Sequence, residues 1–164
     1  MQLLIAHRNA ATRLVLKRLA TLRYDDLDVV ECDEGHEALE LVLAPDAPGL
    51  VVLDWDLPGL DGLELCRLAC QFHEGSPPYV ILLAGETHDV AAGLDAGACD
   101  CVRVDADADE LRARIEAGRR IAALVSRPHS AAATLVAERS PFDEDDDEPV
   151  RSGHFELASV LVAE

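Results

Sequence analysis

Leu50-Val51-Val52-Leu53-Asp54-Trp55-Asp56-Leu57-Pro58-Gly59-Leu60-Asp61-Gly62 is the stretch from which the fold can be read. It opens with an apolar run of strand length that ends in the carboxylate of Asp54, and a Pro-Gly turn follows. Such a run reads as a buried strand, and Asp54 then stands at its carboxyl end, where open α/β sheets gather their reactive groups. The rest of the chain can be searched for side chains that converge on Asp54.

Outward from this strand, short apolar runs alternate with segments of helical period. Residues 3–6 predict a strand and 10–22 a helix that turns Leu14, Leu16 and Leu19 partly to one face. Val29 and Val30 lie in a second strand, and 34–43 predicts a helix with Ala38, Leu41 and Val42 apolar. After the third strand, 50–53, come a helix over 60–72, a strand over 79–83 and a short helix over 87–95 that stops at Gly97. A last strand, 101–104, leads into a helix over 107–125 whose acidic start suits its dipole. Five βα units imply a parallel sheet covered on both faces. Right-handed crossovers favour a flavodoxin-like (βα)5 three-layer sandwich with strand order 2-1-3-4-5.

Composition limits the partners. The 164 residues hold 14 Lys and Arg against 32 Asp and Glu, a formal charge of −18. That balance argues against binding nucleic acid through its phosphates and against an anionic membrane surface. Hydrophobic residues make up 49% of the chain, enough for a substantial core. No apolar run approaches the ~20 residues of a membrane span, and the start lacks a basic signal-peptide region, so a cytoplasmic location is expected. Cys32, Cys66, Cys70, Cys99 and Cys101 lack zinc-type spacing and are expected as buried reduced thiols. His36, His73, His88, His129 and His154 form no local metal pattern and are assigned solvated or loop roles.

The character changes near residue 126. Six consecutive acids, 143–148, repel one another and have nothing to bury, while 154–163 turns apolar again. The expected organisation is a domain over 1–125 and a partly disordered acidic linker or tail over 126–164. Its short apolar end is left open between docking, adding a strand and staying free.

Residues 1–125 resemble the receiver domain of bacterial two-component response regulators. The match rests on Leu53-Asp54-x-x-Leu57-Pro58-Gly59-x-Asp61-Gly62, on Ala92-Gly93-Leu94-Asp95-Ala96-Gly97-Ala98-x-Asp100, and on the five βα units. The resemblance implies that Asp54 is the phosphoacceptor position, fed by a histidine kinase. It further implies Mg²⁺ held by two acids after the first strand, a Thr or Ser after the fourth and a Lys after the fifth. An acyl phosphate collects charge on the peripheral oxygens, and these groups neutralise it.

This chain departs from that pattern at each helper. The acidic pair falls on His7 and Arg8, the hydroxyl position on Ala84, and the lysine position on Val104, followed by Asp105 where proline is usual. The only lysine, Lys17, lies in the first helix. Arg103 is expected on the far side of its strand, and the family's aromatic switch position is Cys101. Asp54 is therefore read as a retained structural carboxylate paired with Arg8, in a degenerate pocket of His7, Arg8, Asp56, Ala84 and Val104. The function implied is a phosphorelay-family signalling module that acts through protein contacts and is not an enzyme. Its Mg²⁺-dependent switch is expected to be lost or weakened, and Mg²⁺ is expected only if the site is active.

The alternative is a receiver phosphorylated on Asp54 by a dedicated histidine kinase, with Asp56 adding a carboxylate. A more distant one is the Asp-x-Asp pair of haloacid-dehalogenase-type phosphatases, Asp54 as nucleophile and Asp56 as acid. A histidine kinase or a downstream output protein is the expected partner. A homodimer would use the fourth helix and fifth strand, the face that carries Thr87, His88, Arg103 and Asp105.

Overall fold

The computed structural model of the chain describes residues 1–22, 26–73 and 75–125. Its elements run β1 (Gln2–Ala6), α1 (Ala10–Thr21), β2 (Asp28–Cys32), α2 (Gly35–Leu43), β3 (Leu50–Asp54), α3 (Gly62–Phe72), β4 (Tyr79–Ala84), α4 (Val90–Asp95), β5 (Asp100–Arg103) and α5 (Ala108–Val125). All strand pairings are parallel, and the sheet order is β2-β1-β3-β4-β5. This is the three-layer order expected from the five units. No helix among the described residues is long and apolar enough to cross a membrane. The acidic run, the apolar end and the 126–164 segment as a whole lie outside the described residues.

Strand alternation sorts the core into two halves. Leu4, Ala6, Val51, Leu53, Val80, Leu82 and Ala84 share one face with Ala38 and Val42 of α2 and Leu65, Cys66 and Ala69 of α3. Leu3, Ile5, Leu50, Val52, Ile81, Leu83 and Val102 share the other with Leu16 and Ala20 of α1 and Ile115 of α5. The large aliphatic side chains among them that are fully buried contribute about 1.5–3 kcal/mol each. Continuing the same alternation puts His7 and Asp54 at the sheet's carboxyl end on the α1/α5 side.

Each helix starts on a side chain that accepts its free N–H groups. Asn9 Oδ1 takes those of Ala11 and Thr12, Asp61 that of Glu64, and Asp107 that of Glu110. α3 begins on Gly62 because an ideal Cβ there would lie 2.5 Å from the Asp54 carbonyl oxygen. The helix is thereby pressed against the end of β3.

Several expectations need correction. α4 starts at Val90 and not 87, since Gly85–His88 closes a turn and Asp89 caps the helix through Ala91 N–H. Leu14 is exposed, because the buried stripe of α1 runs through Leu16 and Ala20. Among the cysteines only Cys32 and Cys66 are buried; Cys70 and Cys99 are exposed and Cys101 is intermediate. All five are free thiols. β2 extends over Asp28–Cys32 by pairing with all five residues of β1.

Candidate functional site

At the carboxyl end of the sheet, the loops after β1, β3 and β4 meet around Asp54. Register places Ala6 opposite Leu53, so His7 lies one step on, beside Asp54. The pocket between them encloses about 340 Å³ and is lined by His7, Arg8, Asp54, Asp56, Gly85 and Val104, among others.

Asp54 is only 3% exposed, and both carboxylate oxygens are occupied. Oδ1 accepts the Asp56 N–H at 3.1 Å. Oδ2 accepts the Arg8 N–H at 3.4 Å and faces Arg8 Nε at 3.5 Å and His7 Nε2 at 3.6 Å.

Arg8 spans two residues. Its Nη1 donates to the Asp56 carbonyl at 3.3 Å and its Nη2 to Asp56 Oδ2 at 3.1 Å. Its side chain is more than half exposed, so these acceptors and not packing hold it. The expected Arg8–Asp54 pair is present, but the guanidinium bridges both aspartates.

His7 is buried and carries a definite tautomer. The Asn9 N–H donates to its Nδ1 at 2.9 Å, which leaves the proton of the neutral ring on Nε2, facing Asp54. Burial lowers its pKa below the ordinary 6.5; the Asp54 charge opposes that shift, and Arg8 and Arg13 reinforce it. His7 is thus a neutral N–H donor, with its carbonyl fixed by Arg13 Nη1.

His88 joins the site, contrary to the solvated or output-face role expected from the sequence: its ring is largely covered and its Nε2 lies 3.2 Å from Asp56 Oδ1. The Gly85 N–H donates to its Nδ1 at 2.9 Å, so here too the proton sits on Nε2. The ring stacks on Trp55 at 4.5 Å between centroids and 11° between planes. The four-residue Gly85–His88 turn carries no periodic signal in the sequence that would have marked His88. Trp55, one step past Asp54, points to the opposite face and joins the α2/α3 core half.

The remaining positions fall as follows. Ala84 is fully buried on the α2/α3 side and does not line the pocket. Val104 lines it, half-exposed, with methyl groups where a charged group would stand. Arg103 leaves the pocket, as expected, and donates to the Gly85 carbonyl at 3.0 Å. Lys17 pairs with Glu31 at 2.8 Å.

These residues do not fit the Mg²⁺ ion that the resemblance attaches to this pocket. Mg²⁺ takes oxygen ligands in octahedral geometry, whereas the guanidinium of Arg8 lies on the oxygens of Asp54 and Asp56. His7 and His88 present N–H groups and not lone pairs. Among the described residues no three His, Cys, Asp or Glu side chains converge as a ligand set. What the arrangement does chemically is bridge two aspartates with one guanidinium and cover their remaining oxygens with N–H groups.

Comparison with known proteins agrees on the family. Residues 3–116 match the response regulator receiver domain model. The chain is 38% identical over 117 residues to the response regulator MprA of Mycobacterium leprae, covering 71% of this chain and 50% of that protein. MprA of Mycolicibacterium vanbaalenii is 36% identical over 116 residues, with 71% and 49% covered. The chain thus spans about half the length of these curated relatives. Among solved structures, a putative response regulator from Chloroflexus aurantiacus superposes with TM-score 0.60 at 26% identity, over 71% of this chain and 95% of that one. The response regulatory domain of mrkE from Klebsiella pneumoniae shares the fold, with TM-score 0.66 at 17% identity, over 76% and 99%.

Proposed function

Since this chain belongs to the response regulator receiver domain family, we propose that it signals through protein–protein contacts with its metal-dependent phosphoryl switch on Asp54 lost or severely weakened. The module is residues 1–125, with 126–164 as an acidic extension, working in the cytoplasm with a kinase or output protein as partner. The strongly acidic balance argues against nucleic acid and anionic membrane as partners.

One observation carries this reading: the guanidinium of Arg8 lies on the oxygens of both Asp54 and Asp56, where the transfer would need a metal ion. A carboxylate that attacks phosphorus needs a cation free to draw in the phosphoryl oxygens. Arg8 supplies charge but spends it on two carboxylates. Ala84 and Val104 add no donor, and no lysine is near. The phosphatase alternative gains nothing here, because Arg8 and His88 already face the two carboxylate oxygens of Asp56.

The face of α4 and β5 is the proposed contact surface, with Val90 and Leu94 exposed on α4. A homodimer through this face is part of the same reading.

The test is incubation with Mg²⁺ and a small phosphodonor such as acetyl phosphate, followed by intact and peptide mass measurement. The expected spectrum shows no phosphoryl group on Asp54. Rapid, near-complete labelling that Asp54→Asn abolishes, or labelling by a partner histidine kinase, would overturn the proposal.

A further inference from the structure

Arg8 does more than pair with Asp54. Three oxygens from two residues converge on its guanidinium: Asp54 Oδ2 at 3.5 Å from Nε, the Asp56 carbonyl at 3.3 Å from Nη1, and Asp56 Oδ2 at 3.1 Å from Nη2. Two carboxylate oxygens and a carbonyl form a hard oxygen set, the kind that Mg²⁺, Mn²⁺ or Ca²⁺ prefers. The remaining approaches are closed by N–H groups, from His7 Nε2 on Asp54 and from His88 Nε2 on Asp56. A divalent ion arriving from solvent meets a fixed positive charge seated on its acceptors.

We propose that Arg8 is the resident cation of this pocket and the residue that excludes divalent metal ions from it. A guanidinium covalently tied to the chain has no dissociation step, and its planar fork suits carboxylates better than an ammonium would. Its exposure matters equally: because packing does not lock the side chain, the oxygen set beneath it remains after Arg8 is replaced. Replacing Arg8 by an acid turns the local charge from +1 to −1 and adds a further oxygen ligand. The inference rests on the reading that the metal-dependent switch is lost and supplies the cause of that loss.

Trp55 makes the test direct. It is the only tryptophan, lies between Asp54 and Asp56 and stacks on His88, so its emission reports on the pocket. Wild type, Arg8→Asp and Arg8→Gln are titrated with MnCl2, a paramagnetic quencher, and melted with and without MgCl2. In wild type, emission shows no saturable change, and the melting temperature does not move at concentrations on the order of 10 mM, above the range where weak oxygen sites fill. In Arg8→Asp, Mn²⁺ quenches saturably with a midpoint on the order of 1 mM or below. Mg²⁺ raises its melting temperature, as a ligand that binds only the folded state must. Arg8→Gln is shorter and removes the charge while keeping a side-chain N–H donor. It gives a weaker saturable response and carries the test if Arg8→Asp fails to fold.

Saturable Mn²⁺ quenching in wild type would overturn the inference, as would flat titrations in folded Arg8→Asp and Arg8→Gln alike. The two readings fail separately. Wild type that binds Mn²⁺ yet takes no phosphoryl group from acetyl phosphate removes the role of Arg8 and leaves the lost switch standing. Wild type that is labelled on Asp54 removes the lost switch.

Discussion

At the scale of single residues, the pocket shows how neutral and charged donors divide the same task. His7 meets a carboxylate but stays neutral, because burial outweighs the attraction of Asp54 and Arg8 and Arg13 add to the penalty. Its folded-state pKa is therefore below the 6.5 of an unfolded chain, and the sign of the linkage follows. As pH falls below 6.5, the unfolded state binds a proton that the folded state refuses. Stability that is complete above 6.5 is lost progressively down to the folded-state value. His7→Gln removes this term, so the melting temperature of the variant depends less on pH below 6.5 than that of wild type. Thermal melts in matched buffers measure the difference, and parallel curves for the two proteins would count against this account.

Among the elements, β3 and α3 position the pocket together. The Gly62 N–H donates to the Trp55 carbonyl at 2.8 Å, and the missing Cβ lets α3 start against the Asp54 carbonyl. Gly62→Ala forces that helix start away from β3, with an overpacking cost of about 1–3 kcal/mol. Urea unfolding reads it as a lower midpoint at unchanged slope, and an unchanged midpoint would contradict the packing argument. This junction was legible in the sequence, since an apolar run ending in Asp54 and followed by Pro58-Gly59 and Asp61-Gly62 leaves little choice of geometry. Strand order was legible because five βα units with right-handed crossovers leave few topologies. His88 was not. Its position depends on how the Gly85–His88 turn closes, and a loop four residues long carries no periodic signal. The exposure of Leu14 and Cys70 escaped as well, because helix period alone does not say which of two adjacent stripes meets the sheet.

For the whole molecule, core and surface give different protection to chemically identical groups. The Cys66 thiol lies inside the α2/α3 half, where burial first and the neighbouring thiols second push its pKa up to about 12. Cys32 is pushed up to about 11, again mainly by burial. Cys70 and Cys99 stand on the surface. Iodoacetamide at about pH 8 is expected to modify Cys70 and Cys99 in the native protein, and Cys32 and Cys66 only as the molecule unfolds. Peptide mass mapping over time separates the two classes, and equal rates at Cys66 and Cys70 would mean the core is open. The same view of the whole joins the three loops at the sheet's carboxyl end, since the chain after β1 sends Arg8, β3 and its loop send Asp54 and Asp56, and the chain after β4 sends His88 into one network. That junction changes what a genetic experiment on this chain measures. Replacing Asp54 in a living cell, the usual way to ask whether a receiver is phosphorylated, here also removes the acceptor that ties the β1 loop, through Arg8 and His7, to the end of β3. The resulting phenotype reports a loosened scaffold and not a silenced signal, and the genetic question is better put to Arg8.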